Sequence, residues 1–228
     1  MGNTVGSTNS NFCNFPRNNF ESYILGLWCA DGFIRTSSVG ISNTYIDLIK
    51  IFYKFLANKF TKNRLRLVIY GNNKLMRNKY LHLKGVVDTH SFSKKAKHIG
   101  YHLYVNSRSL VRALAKLKAS PSRAINSNNI YAYFAGRFDG DGSISLDFHR
   151  DCRISYGSKL QAQIDFKMLR ISGYKLAKVY EYRKAKTYVL YVSRYECLKF
   201  LSNIYRYSVK LQKLGFVPRR DLISTYKV

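Results

Sequence analysis

Apolar residues along the chain follow helical and strand-like spacing in an order that occurs twice. Between residues 44 and 59, Ile46, Ile49 and Phe52 recur at the spacing of an amphipathic helix. Between residues 64 and 69, Leu65 and Leu67 alternate with basic side chains, which is typical of a strand with one buried face. The pattern predicts an α+β fold with two pseudo-symmetric αββαββα halves, whose antiparallel sheets each have one polar face.

The predicted elements occur in the same order in both halves of the sequence. In the first half, helices are predicted at residues 19–30, 44–59 and 109–118 and strands at 33–37, 39–42, 64–69 and 101–106. In the second half, helices are predicted at 128–140, 160–172 and 196–214 and strands at 143–149, 153–156, 176–182 and 188–193. The predicted domains are a flexible N-terminal segment (1–18), a first half (19–118) with a polar insertion (about 71–97), a linker (119–127) and a second half (128–228).

Two segments, one in each half of the chain, share one pattern and mark the internal repeat. The sequence ILGLWCADG at 24–32 is similar to FAGRFDGDG at 134–142, with a central glycine and a terminal Asp-Gly in both. Gly26 and Ala30 share a helix face, as do Gly136 and Gly140 in the second segment. Small residues at this spacing allow two helix backbones to approach closely, so we expect the two helices to pack against each other.

That packing would bring the C-terminal ends of the two helices together, where Asp31 and Asp141 lie. Gly32 and Gly142 follow them and are expected to adopt the positive φ that ends many helices. Two carboxylates at the negative ends of helix dipoles repel each other but suit a divalent cation such as Mg²⁺. Such a site beside a phosphodiester is typical of a metal-assisted hydrolase. A single Asp-Gly is usually only a turn signal, but its duplication in matched segments favours the metal site.

The charge of the chain indicates a polyanionic partner. There are 39 Lys and Arg against 12 Asp and Glu, a net charge of +27, spread over both halves. Basic side chains at phosphates release counterions, so we expect a nucleic-acid partner. With 46% hydrophobic residues the chain can bury a core, and it has no run of about 18 apolar residues that would predict a membrane span.

On these residues, the two segments resemble the paired motifs of the LAGLIDADG homing endonucleases in their single-chain form, over about residues 20–228. The resemblance implies a monomeric, site-specific double-strand DNA endonuclease that leaves short 3′ overhangs and promotes intron mobility. It implies Mg²⁺ as the cofactor, with Mn²⁺ or Ca²⁺ able to substitute in binding. The metal ligands would be Asp31 and Asp141, assisted by the carbonyls of Ala30 and Gly140.

The resemblance also implies further catalytic groups. The first segment has Cys29 where the family has an earlier acidic residue, a position that is usually structural. A basic residue near the start of the last helix of each half would support the scissile phosphate, and Lys118 and Lys210 are the candidates; a solvated helix face is the alternative for both. A polar residue after the second strand often positions water, and Asn43 fits in the first half.

The polar faces of the strands resemble the curved saddle that this family lays along the major groove, so the resemblance implies a DNA-binding saddle over roughly 20 base pairs. Arg35, Arg64 and Arg66 could read guanines, and Asp147 could accept a hydrogen bond from cytosine, although each could be an ordinary solvent-facing residue. The candidate DNA contacts are Arg35, Ser37, Arg64, Arg66, His102, Tyr104, Ser143, Ser145, Asp147, His149, Arg153, Lys178, Tyr180, Tyr182 and Lys184.

Two alternatives share the basic surface. One is a maturase that binds intron RNA without cutting, and the other is a DNA-binding regulator on a decayed endonuclease scaffold. Only cleavage needs both carboxylates, so their presence favours the nuclease. The first 19 residues lack the apolar core of a signal peptide, and the frequent Lys, Asn and Tyr hint at an AT-rich genome such as that of a mitochondrion or chloroplast, so we expect an intracellular protein.

Overall fold

The computed structural model describes residues 12–76, 81–145 and 151–219. Contacts group these residues into two compact units. Unit 1 consists of the described residues up to Phe15 together with Phe33–Leu114, and unit 2 consists of Pro16–Gly32 together with the described residues from Ala115 onwards.

The secondary structure repeats the order αββαββα and confirms the α+β fold class. The first half contains α1 (Asn19–Asp31), β1 (Gly32–Arg35), β2 (Ser38–Asn43), α2 (Ile46–Ala57), β3 (Leu65–Gly71), α3 (Asn73–Met76), β4 (Val87–Phe92), β5 (Gly100–Asn106) and α4 (Arg108–Ala119). The second half contains α5 (Ile130–Asp141), β6 (Gly142–Ile144), β7 (Cys152–Tyr156), α6 (Lys159–Ile171), β8 (Lys178–Tyr182), β9 (Thr187–Val192), α7 (Arg194–Ile204) and α8 (Val209–Lys213).

Unit 1 contains a five-stranded sheet in the order β1-β2-β5-β3-β4. Strand β5 pairs antiparallel with β2 and β3. Helix α2 covers one face of β2 and β5 and buries Leu48, Ile49 and Phe52. Burial in β3 and β5 alternates strictly, so one face of this sheet is core and the other carries the polar side chains.

The insertion at 71–97 extends the sheet of unit 1 by one strand. Strand β4 pairs in parallel with β3, with Arg66 opposite Val87 and Tyr70 opposite Ser91. Strand β4 was not predicted, because it lies at the sheet edge with most of its residues exposed and its sequence therefore lacks apolar alternation.

Unit 2 contains a four-stranded antiparallel sheet in the order β6-β7-β9-β8, covered on one face by α6. Helices α1 and α5 pack along each other in this unit. Both are buried on nearly all sides, which explains why neither shows the one-sided pattern of a surface helix. None of the helices in the described part of the chain combines the length and the apolarity that a membrane crossing requires.

The contact between α1 and α5 depends on two glycines at equivalent positions of the repeat. A Cβ atom on Gly26 would lie 1.9 Å from the carbonyl oxygen of Tyr133, and one on Gly136 would lie 2.0 Å from that of Tyr23. Tyr23 and Tyr133 also occupy equivalent positions, three residues before each glycine, so the two contacts are reciprocal. The structure therefore confirms the predicted close packing of the two helices.

The last predicted helix, 196–214, is interrupted and forms α7 and α8. Ser208 is the N-cap of α8, since its hydroxyl oxygen accepts a hydrogen bond from the Leu211 amide at 3.1 Å. This capping hydroxyl starts a new helix where the apolar spacing alone predicted a continuous one.

Candidate active site

The two repeated aspartates lie at neighbouring helix ends within unit 2. Asp31 is the last residue of α1, and Asp141 is the last residue of α5. A Cβ atom on Gly140 would lie 2.4 Å from the Cβ of Ala30 and 2.8 Å from Oδ2 of Asp31. The Asp31 carboxylate therefore lies against the residue that directly precedes Asp141, and both aspartates are half-buried.

The glycines after the aspartates do not have the predicted positive φ. Gly32 and Gly142 are extended, with φ of −77° and −85°. Space is the reason that they are glycines: a Cβ on Gly32 would lie 2.6 Å from ring atoms of Trp28, and one on Gly142 would lie 2.3 Å from the ring of Phe138. In both copies of the motif, the aromatic ring four residues earlier fills the space that a side chain would need.

The two candidate lysines lie over these same rings. The ammonium nitrogen of Lys118 is 5.1 Å from the ring centroid of Trp28, and that of Lys210 is 5.5 Å from the ring centroid of Phe138. Lys210 Nζ also donates a hydrogen bond of 2.7 Å to the carbonyl oxygen of Gly142, next to Asp141. The lysines thus take matched places in the repeat.

Electrostatics connects these groups. Burial raises the pKa of the Asp141 carboxyl, and the positive charges of Arg137, Lys210 and Lys118 act in the opposite direction. Both candidate lysines are thus close enough to act on the charge of this aspartate. Cations and a carboxylate pair in one site are suited to holding a phosphate group beside a metal ion.

The donor set fits a hard divalent cation. Within the described ranges there is no group of three or more His, Cys, Asp or Glu side chains that could hold a metal. Mg²⁺ commonly uses one or two protein carboxylates and takes its remaining ligands from water and substrate phosphates. Asp31 and Asp141 supply two such carboxylates.

The earlier acidic residue of the second motif, Asp139, has a structural position. It is buried and accepts hydrogen bonds from the Tyr23 hydroxyl at 2.7 Å, the Ser208 hydroxyl at 2.5 Å and the Val209 amide at 2.8 Å. Asp139 therefore joins α1, α5 and the first turn of α8. At the matching position of the first motif, burial raises the pKa of the Cys29 thiol to about 11, which keeps this residue neutral.

A buried ion pair between α5 and α6 was not predicted. Arg137 Nε donates to Asp165 Oδ2 at 3.1 Å, and both side chains are almost completely buried. The hydroxyls of Tyr133 and Tyr156 also donate to Asp165, each at 2.9 Å, and the guanidinium lies 4.2 Å from the Tyr156 ring centroid. The signal available in the sequence was Arg137 itself, the one charge within residues 130–138 of α5, which requires a partner when it is buried.

On the sheet of unit 2, the candidate DNA contacts share one face. The register aligns a row across the four strands, consisting of Ser143, Arg153, Tyr191 and Lys178. Tyr180 and Tyr182 continue the same face along β8 and are 44% and 51% exposed. Arg153 is held on this face by a bidentate ion pair with Asp151, at 2.9 and 3.0 Å.

The remaining candidates of the second half lie outside these strands. Ser145 directly follows β6 and is half-buried, and its amide donates to the Asp151 carbonyl oxygen at 2.9 Å. Lys184 is exposed in the short 3₁₀ helix between β8 and β9. Asp147 and His149 lie outside the described residues.

On the sheet of unit 1, four candidates also share one face. Arg66 is opposite Tyr104 in the register, and His102 lies two residues from Tyr104 on the same side of β5. The ring centroid of Phe33 lies 5.7 Å from that of His102 and 6.3 Å from that of Tyr104. The Arg35 guanidinium lies 5.4 Å from the Phe33 ring centroid. Burial, and secondarily the charge of Arg35, lowers the pKa of His102, so this imidazole is neutral at pH 7.

The other candidates of the first half lie off the regular part of the strands. Arg64 is in a short 3₁₀ helix before β3, and its guanidinium donates to the Asn106 carbonyl oxygen at 3.0 Å. Ser37 is half-buried in the turn between β1 and β2. Asn43, at the end of β2, accepts a hydrogen bond from the Tyr45 amide at 2.6 Å and so stabilises the approach to α2.

Comparison with known proteins gives similarity in structure only. No protein-family model and no curated protein matches the sequence. The structure is similar to I-DmoI in complex with DNA and Ca (19% identity, 87% of this chain and 98% of that chain, TM-score 0.61). It is also similar to I-DmoI in complex with DNA and Mn (20% identity, 82% and 96% coverage, TM-score 0.56) and to the homing endonuclease I-WcaI bound to its DNA recognition sequence (10% identity, 88% and 86% coverage, TM-score 0.56). The chain therefore has the fold of the LAGLIDADG homing endonucleases.

Proposed function

We propose that the protein is a site-specific, metal-dependent DNA endonuclease. The observation that carries this proposal is the position of the Asp31 carboxylate against Gly140, directly before Asp141, at the ends of two packed helices. Lys118 and Lys210 lie beside the same helix ends. A structural role alone would not require two half-buried carboxylates and two lysines at matched positions of a repeat.

The structural relatives support the same activity. I-DmoI has been solved in complex with DNA and Mn and with DNA and Ca, and a single-substitution variant of it has been solved with its target DNA in the presence of Mg. I-WcaI is a homing endonuclease bound to its DNA recognition sequence. For this chain we propose double-stranded DNA as the substrate and Mg²⁺ as the cofactor, with Mn²⁺ or Ca²⁺ able to occupy the site.

In the proposed mechanism, Asp31 and Asp141 bind the metal, with the backbone carbonyls of Ala30 and Gly140 as further candidate ligands. When bound, the metal would neutralise phosphate charge and lower the pKa of an attacking water. Lys118 and Lys210 would place positive charge where negative charge develops on the scissile phosphate. The products would carry short 3′ overhangs, and the cleavage would promote intron mobility.

DNA recognition is assigned to the polar sheet faces of the two units. Arg153, Lys178 and the exposed tyrosines of β8 would contact phosphates and base edges, as would Arg35 and Arg66 in unit 1. Asp147 and His149 remain candidates for the same role. We expect one monomer to bind one duplex target of roughly 20 base pairs.

The experiment is a selection followed by cleavage. Random duplex DNA is selected for binding to the protein in Ca²⁺, and the bound duplexes are then transferred to Mg²⁺. We expect one family of sequences, cut on both strands with short 3′ overhangs, and no cutting in EDTA. Selected duplexes that stay intact in Mg²⁺ and in Mn²⁺ would identify a DNA-binding regulator and refute the nuclease. Filter binding that prefers the host intron RNA over every duplex would favour the maturase.

A further inference from the structure

We infer that Trp28 and Phe138 are positioning residues whose ring faces hold the ammonium groups of Lys118 and Lys210 beside the paired aspartates. This inference deepens the proposed nuclease, because it rests on the two lysines acting in that site. It assigns a role to the two aromatic positions of the repeated motif.

The geometry repeats across the two copies of the motif. Trp28 and Phe138 occupy equivalent positions of the repeat, and each has one lysine nitrogen near its ring centroid, at 5.1 and 5.5 Å. Both distances lie within the range of a cation–π interaction, which is stronger where water is excluded. Both rings are almost completely buried, at 1% and 0% exposure, so their positions are fixed by packing.

The lysines come from different structural contexts but reach equivalent places. Lys118 lies near the C-terminal end of α4, whereas Lys210 is the second residue of the short helix α8. A lysine side chain has four flexible carbons, so an ammonium group needs a fixed partner to occupy one position. A common partner for two lysines on dissimilar helices is the ring at the matched motif position.

The glycine after each aspartate belongs to the same arrangement. Gly32 and Gly142 leave room for the rings of Trp28 and Phe138, which a Cβ atom would strike. In each copy of the motif, the glycine therefore allows the aromatic ring four positions earlier to pack next to the helix end, where the lysine ammonium group contacts it.

Trp28 offers the sharper test because it is the only tryptophan in the chain. Growing the protein with mono-, di- or trifluorinated tryptophan changes this residue alone. Fluorine withdraws electron density from the ring face while nearly preserving its shape, so it weakens a cation–π contact without creating a cavity. We expect single-turnover cleavage of a selected duplex to fall stepwise with fluorination, by about tenfold over the series. Thermal unfolding should stay unchanged.

The control uses the lysine partner and a second lysine of unit 2. In a Lys118→Met background, fluorination should no longer change the residual cleavage rate, whereas in a Lys167→Met background the full decline should persist. Fluorine NMR reads the contact without activity: Lys118→Met should shift the resonance of fluorinated Trp28, and Lys167→Met should not.

Two results would overturn the inference: a fluorine resonance that Lys118→Met leaves in place, or a fluorinated series that cleaves at the rate of the unlabelled protein. Failure of the proposed function looks different, because unlabelled protein would then cut no selected duplex while the resonance would still report the contact.

Discussion

At the scale of single residues, burial decides which changes near the site are costly. Asp165 and Arg137 are each about 1% exposed, and Asp165 accepts hydrogen bonds from the Arg137 guanidinium and from the hydroxyls of Tyr133 and Tyr156. Burial raises the pKa of the Asp165 carboxyl even beside this arginine. A buried charge that loses its partner destabilises the fold far more than the loss of a surface pair.

We therefore expect Asp165→Asn to lower the free energy of unfolding by about 3–5 kcal/mol, since it leaves the Arg137 charge unpaired. Glu181→Gln is the matched control, because Glu181 pairs with Lys159 at 3.7 Å and the two side chains are 41% and 65% exposed. Its effect should stay below about 1 kcal/mol in urea denaturation. Equal effects of the two substitutions would mean that the buried pair does not stabilise unit 2.

The sequence predicts residues at this scale unevenly. Asp31 and Asp141 could be found because they occur twice in the same local pattern. Asp165 could not be found, because its partners Arg137 and Tyr156 come from separate elements and no spacing along the chain encodes that contact.

At the scale of elements, the packing of α1 on α5 places the Asp31 carboxylate against Gly140, directly before Asp141. The helices touch through backbone atoms at Gly26 and Gly136, where no side chain fits. This contact could be predicted because small residues at helical spacing allow two helix backbones to approach closely. Strand β4 and the start of α8 could not, because an exposed edge strand and a capping hydroxyl leave no apolar periodicity.

Gly136→Ala should lower the free energy of unfolding by about 3 kcal/mol, because its Cβ would lie 2.0 Å from the Tyr23 carbonyl oxygen and force the helices apart. Gly157→Ala is the matched control, since a Cβ there meets no atom within 4 Å. We expect it to change thermal unfolding little. An Ala at 136 that unfolds like the Ala at 157 would contradict the close contact of α1 and α5.

Asp139 offers a second test at this scale. Asp139→Ala removes the acceptor of the Val209 and Lys210 amides, at 2.8 and 3.3 Å, and of the Ser208 hydroxyl. We expect faster amide hydrogen exchange over residues 208–213. The free energy of unfolding should fall by about 1–2 kcal/mol, as it does when an N-cap is removed. Unchanged exchange in this segment would show that α8 forms without Asp139.

At the scale of the whole molecule, we expect net charge to govern the proposed association with DNA. A net charge of +27 favours any polyanion, so affinity alone carries little information about the site. The salt dependence of binding is more informative, because the slope of log K against log salt reports how many basic groups contact phosphates.

Lys178→Ala should weaken duplex binding and reduce the slope of log K against log salt by about one, since Lys178 lies exposed on the polar face of β8. Lys167→Ala should leave the slope unchanged, because Lys167 is an exposed residue of α6, the helix that covers the opposite face of the sheet. A larger effect at Lys167 than at Lys178 would place the DNA on the helical side.

The most direct test is cleavage by the paired-aspartate variants. With a selected duplex in Mg²⁺, Asp31→Asn and Asp141→Asn should each slow cleavage by about 10³-fold or more, equivalent to about 4 kcal/mol, because each removes a carboxylate that we propose as a metal ligand. Asp88→Asn, an acidic residue of unit 1 that pairs with His82, should cut normally, and all three variants should bind the duplex in EDTA as the unsubstituted protein does. Cleavage at the unsubstituted rate by either the Asp31 or the Asp141 variant would contradict the account.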